Sequence, residues 1–228
     1  MTQQDEQATA MPDYAAARFH MVECQVRPNK VTDQRLVDSM MEVPRELFVP
    51  KAARGIAYVD DEIAIGPGRF LLEPMVFARM LQAAELKSTD VVLDIGCGTG
   101  YSTAVIARIA ATVVGIESDA ALAQQATSAL GEVGADNAIV INAPTTAGYP
   151  AQAPYDVIVF NGTVAEVPAG IADQLAEGGR MVAAVLGTRG VGEVKLFRRE
   201  GGVLSSRVLF EAKPPLLPGF EPKPVFEF

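Results

Sequence analysis

The sequence predicts an α/β fold: a mostly parallel sheet wrapped on both faces by helices, finished by an antiparallel hairpin and preceded by a helical cap. Three observations carry this prediction. Val91–Ile95, mostly apolar and β-branched, leads straight into glycines at 96, 98 and 100, and a helical pattern from Ser102 to Ala111 follows at once. Strand-like and helix-like segments then alternate as far as Leu186, as βαβ units of a parallel sheet require. The end differs, with two extended runs joined by Glu200-Gly201-Gly202.

Each element has its own signal. Residues 1–12 read as a loose tail. Tyr14–Val26 and Thr32–Glu42 read as helices, the second capped by Thr32 or Asp33 ahead of Leu36, Val37, Met40 and Met41. Pro44–Pro50 follows, then a loop-rich stretch to Leu72 holding Gly66, Pro67 and Gly68. Met75, Val76, Met80, Leu81 and Ala84 recur at helical spacing between Glu73 and Leu86. Strands are expected at Val91–Ile95, Val113–Glu117, Ala138–Asn142, Asp156–Asn161 and Arg180–Leu186. Between them lie helices, notably Asp119–Val133 and Ala165–Leu175, the latter closed by Gly178-Gly179. Glu193–Arg199 and Val203–Glu211 form the hairpin, so that the last strand runs antiparallel. The Pro-rich end, 213–228, is expected to wrap the surface without regular structure. The chain divides into a segment 13–86 on the substrate side and a core 87–212, in one compact domain overall.

Composition narrows the function classes. A chain of 228 residues suits one domain with a proper core. Its net charge of −9 leaves no basic face for a nucleic-acid backbone. No apolar stretch approaches membrane-spanning length, and Met1–Pro12 lack the pattern of a signal peptide. Cys24 and Cys97, far apart, suggest no disulfide framework and fit a reducing cytoplasm. With His20 as the single histidine, a zinc site is not expected, and His20 reads as a surface or packing residue. Nothing in the sequence fixes an oligomeric state.

The glycine turn opens a βαβ unit in which a ligand can lie against bare backbone, and Glu117 ends the next strand as a carboxylate placed for ribose hydroxyls. The expected ligand therefore bears a nucleoside. A dinucleotide wants G-x-G-x-x-G, but the third glycine comes one residue early and Tyr101 stands where the last one belongs. Asp94, just before the turn, repels a pyrophosphate and suits a sulfonium and an α-ammonium group. S-adenosylmethionine is favoured over NAD. The hairpin ending agrees, because it is typical of the Rossmann-like sheet of class I methyltransferases. Gly96, Cys97, Gly98, Thr99 and Gly100 form the cofactor turn, with Cys97 as a small residue that fits rather than a nucleophile.

At this point the chain resembles the protein-L-isoaspartate (D-aspartate) O-methyltransferases. The matching pieces run from Met21-Val22 with Gln25 through Val43-Pro44-Arg45-Glu46-Leu47-Phe48-Val49-Pro50, Ala57-Tyr58, Ile65-Gly66 and Glu73-Pro74. They continue with Val92–Tyr101, Ala153–Ile158, Val167-Pro168 and Gln174–Arg180. The Pro-Arg-Glu-x-Phe-Val segment outside the cofactor fold separates this family from other methyltransferases. The resemblance implies methyl transfer from S-adenosylmethionine to the free α-carboxylate of isoaspartyl residues in damaged protein. Asp94 then serves the methionine end and Glu117, beside Ser118, the ribose. The loop Ile65–Pro74 closes the acceptor site.

Two departures stand out. The family's serine, two residues before its proline, is Leu72 here, and a lost hydroxyl at the acceptor costs about 1–3 kcal/mol of transition-state stabilisation. The Gly-Asp-Gly that follows the family's third strand is Ala143-Pro144-Thr145, leaving Thr145, backbone and Asn142 for the adenine. Two other readings stay open: a related methyltransferase that esterifies another carboxylate, and a non-catalytic module that binds the cofactor. Arg45 and Glu46 read as a structural clasp, and Asn161-Gly162 as a turn or an acceptor wall.

Overall fold

A computed structural model describes residues 13–187 and 191–222; the predicted tail 1–12 and residues 223–228 of the Pro-rich end lie outside the described residues. The first half supplies α1 (Tyr14–Met21), which continues through a π turn at Val22–Val26, and α2 (Gln34–Glu42). Asp33 caps α2 by accepting from the Arg35 amide. Next come β1 (Ile63–Gly66), β2 (Arg69–Leu71) and α3 (Pro74–Ala84). The second half is β3 (Val91–Ile95), α4 (Tyr101–Ala107), β4 (Thr112–Glu117), α5 (Ala120–Glu132), β5 (Ala138–Asn142) and β6 (Tyr155–Val164). It ends with α6 (Ala169–Ala172), β7 (Leu175–Leu186), β8 (Gly192–Glu200) and β9 (Val203–Ala212).

The large sheet has the order β5-β4-β3-β6-β7-β8-β9. β3 to β7 run parallel, β8 runs against β7, and β9 runs against β8. The reversed strand is thus β8. The last strand, expected to oppose the sheet, opposes only its hairpin partner and points the same way as the parallel five. Central strands buried on both faces read as apolar runs, which is why the glycine-flanked segments stand out in the sequence. Alternate residues feed two cores. Val92, Val113, Val157 and Val182 pack with α1–α4, whereas Leu93, Val114, Ile158 and Met181 pack with Ile171, Leu217 and Phe220.

The second face departs from expectation. The helix predicted over Ala165–Leu175 shrinks to α6, because β6 runs on to Val164 and Pro168 admits a helix only after itself. β7 starts at Leu175 and carries Gly178-Gly179 within it. The space is filled by the C-terminal strap. Thr163 donates its amide to the Pro215 carbonyl at 2.9 Å and accepts the Leu217 amide at 2.8 Å. Leu217 and Phe220 are buried, so this segment is part of the core rather than a surface wrap. The loop-rich stretch before α3 also holds structure, the hairpin of β1 and β2. Among the described residues no helix is long and apolar enough to cross a membrane.

Candidate cofactor site

The carboxyl ends of β3 and β4 meet at the glycine turn. Gly96, Gly98 and Gly100 all adopt positive φ, at 69°, 57° and 93°, a backbone that side chains resist. Glu117, at the end of β4 and fully buried, reaches back to this turn. Its Oε2 accepts the Gly98 amide at 2.8 Å, and its Oε1 accepts the Asp119 amide at 3.1 Å and the Ser118 hydroxyl at 3.4 Å. Ser118 is otherwise exposed. Cys97 is buried, and burial, followed by the charges of Asp94 and Glu117, pushes its thiol well above its usual value. A thiol so buried and so firmly protonated packs the turn as a small side chain. Thr99 donates its hydroxyl to the Phe48 carbonyl, tying the turn to the Pro44–Pro50 segment.

Asp94 has no exposed surface. Its Oδ2 accepts the hydroxyls of Ser102 and Thr103, both at 2.7 Å, and its Oδ1 accepts the Asn161 amide at 2.6 Å. Burial raises its carboxyl above the usual range, while these three donors pull it down. Asp94 therefore knits β3 to the start of α4 and to β6. The register of β6 against β7 slips between Val159 and Thr163, and Asn161 sits in that bulge. The turn reading of Asn161-Gly162 gives way to a strand.

The other predicted residues surround this centre. Asn142, exposed at the end of β5, donates to the carbonyls of Glu117 at 2.9 Å and Ser118 at 3.2 Å. Thr145 is buried in the short turn that follows. Leu72 is buried just ahead of α3, and its carbonyl accepts Arg45 Nη2 at 2.8 Å. A cavity of about 20 Å³ separates it from the turn, lined among others by Arg45, Gly96, Tyr101 and Asn161. That is room for about one water. Arg45, wholly buried, lies 4.7 Å over the Tyr101 ring, and its Nη1 and the Tyr101 hydroxyl have no hydrogen-bond partner among the described residues. Glu46 accepts from Tyr58 and Arg18, so the clasp reading of this pair describes the contacts.

Sequence reasoning missed the residues that cover the turn. Arg69 of β2 donates Nη2 to Glu117 Oε2 at 2.7 Å and to the Gly96 carbonyl at 2.5 Å. A Cβ on Gly96 would lie 2.7 Å from Leu217, and one on Gly98 would run into Ile65. The turn is thus a cradle that a Cβ would fill, and the chain's own side chains fill it. A lone arginine among Phe70, Leu71 and Leu72 was the one available signal, because a buried cation demands an acid. Bare backbone, a strand-end carboxylate and a second acid one strand away are the chemistry that would suit a nucleoside with free ribose hydroxyls, at a turn that Arg69, Ile65 and Leu217 cover in this structure.

Comparisons with known proteins point the same way. The sequence profile described as protein-L-isoaspartate(D-aspartate) O-methyltransferase matches residues 17–212. The chain is 40% identical over 186 residues to the protein-L-isoaspartate O-methyltransferase of Methanoculleus marisnigri, covering 82% of this chain and 84% of that one. It is 38% identical over 201 residues to that of Roseiflexus castenholzii, with 88% and 91% covered. A solved protein-L-isoaspartate O-methyltransferase superposes with TM-score 0.78 at 26% identity, over 89% of this chain and 66% of that longer one. A putative one from Plasmodium falciparum, in complex with S-adenosyl-L-homocysteine, superposes with TM-score 0.75 at 18% identity, over 91% and 99%, and speaks for the fold. Fold and sequence converge: the chain belongs to the protein-L-isoaspartate (D-aspartate) O-methyltransferase family.

Proposed function

We propose that this chain transfers a methyl group from S-adenosylmethionine to the α-carboxylate of isoaspartyl residues in damaged proteins. The observation that carries this reading is the meeting of the glycine turn and the Leu72 segment across one cavity, with Glu117 holding the Gly98 amide of that turn. The cofactor supplies a methyl on a sulfonium, a good leaving group. Gly96, Gly98 and Gly100 give it bare backbone, Glu117 accepts ribose hydroxyls, and Asp94 contributes negative charge at the methionine end. Asn142 and Thr145 border the adenine. The acceptor carboxylate is ionised at neutral pH and is its own nucleophile, so the chain needs no general base. Its task is to hold that oxygen in line and exclude water. The segment 13–86 brings the acceptor side: Arg45 holds the Leu72 carbonyl, and with Phe77 and Tyr101 it walls the cavity.

Leu72 favours a second reading, a related enzyme with another carboxylate acceptor, because an isobutyl group offers no hydrogen bond. Labelled cofactor incubated with isoaspartyl and aspartyl peptides separates the two. Methylation of the isoaspartyl peptide alone is expected, and L72S should raise kcat/KM roughly 5- to 150-fold, the equivalent of about 1–3 kcal/mol. Because Leu72 is buried, L72S must be assayed well below its lowered melting temperature. Esterification of a different carboxylate favours the second reading; no turnover in either protein favours a cofactor-binding module. We further propose a cytoplasmic setting, supported by the free thiols of exposed Cys24 and buried Cys97. The acidic balance of the chain argues against nucleic acid as a partner.

A further inference from the structure

We propose that Arg69 is an internal competitor of the cofactor, a side chain that takes the ribose's place on Glu117 and so sets how tightly S-adenosylmethionine is held. This rests on the cofactor reading of the glycine turn. Arg69 and Glu117 are both buried, and their ion pair at 2.7 Å sits where the strand-end carboxylate should receive ribose hydroxyls. The same Nη2 grips the Gly96 carbonyl from the other side. Ile65 and Leu217 complete the cover over Gly98 and Gly96. A ribose and this guanidinium both present donors to one carboxylate, and the space admits one of them.

A second buried arginine shows what a purely structural one looks like here. Arg180 donates to the carbonyls of Ala84 and Glu85, to that of Asp156 and to both oxygens of Asp90, using all three of its nitrogens. Among the described residues the bonds of Arg69 run through Nη2, and its buried Nε has no partner. An under-satisfied cation is cheaper to displace than a fully bonded one. Displacement needs β1 and β2 to carry Ile65 and Arg69 away together and the strap to withdraw Leu217. The measured affinity is then the intrinsic one reduced by the fraction of molecules already open.

Calorimetry with S-adenosylhomocysteine on the full chain tests this, with R69Q, R69K, L217A and E117Q beside the unmodified protein. R69Q should bind about tenfold tighter and L217A severalfold tighter, because each removes part of the cover. R69K keeps a cation for Glu117 and should stay within about twofold. E117Q should bind more weakly. Equal binding by R69Q overturns the proposal; weaker binding also does, and shows Arg69 touching the bound cofactor. R69K as tight as R69Q overturns it too, since the ion pair would then not be what competes. Circular dichroism and thermal unfolding report folding of each variant. If R69Q does not fold, L217A decides, and no tightening there overturns the idea. Absence of binding by every folded protein removes the cofactor reading itself, a result distinct from unchanged affinity in R69Q.

Discussion

Asp94 illustrates how a single buried charge is kept. Three donors converge on it, so its removal leaves two buried hydroxyls without this acceptor and the Asn161 amide with the Ile95 carbonyl alone. D94A is expected to cost about 3 kcal/mol in urea unfolding, each buried donor left unmade adding its share. Cys97 gives a test in pH. The folded chain holds its thiol proton well above the ordinary value of 9.0, while the unfolded chain releases it near that value. The unfolded state then binds fewer protons, so stability falls as pH rises past 9. C97A should lessen that loss by up to about 1.4 kcal/mol per pH unit, read by thermal melts between neutral and alkaline buffers. That Asp94, the glycine turn and Glu117 lie together at the ends of β3 and β4 was legible in the sequence, because a strand and a turn announce them. Arg69 was not, since its acid lies 48 positions away and only the tertiary fold pairs them.

Elements were legible in proportion to their length and burial. β3 to β7 announce themselves as apolar runs, whereas β1 and β2, of four and three residues, are too short for a period of two to register. The stretch ahead of β7 is rich in alanine and reads as helix until Pro168 and the long β6 are allowed for. The strap could not be read at all, since its order comes from backbone bonds to Thr163. Gly162 makes that contact possible. A Cβ there would stand 3.1 Å from both the Leu217 side chain and the Pro215 carbonyl. G162A is therefore expected to destabilise by about 1–3 kcal/mol and to speed proteolysis within residues 214–222.

At the level of the whole molecule, one ion pair joins distant parts of the chain. Arg180 of β7 meets Asp90, just ahead of β3, at 2.6 Å, and also holds the carbonyls that end α3. D90N leaves a buried guanidinium without its counter-charge and should cost about 3–5 kcal/mol by chemical denaturation. The resemblance to one family was legible across most of the chain, because it rests on strand ends and turns that sequence order preserves. What covers the glycine turn was not, because that cover comes from β1, β2 and the strap, three segments scattered through the numbering. The strap also has a practical side. Loosening the strap by L217A, which takes a side chain off the Gly96 turn, should leave the Thr163 backbone bonds in place while freeing that turn. Limited proteolysis should then cut the strap of that variant sooner than the strap of the unmodified protein.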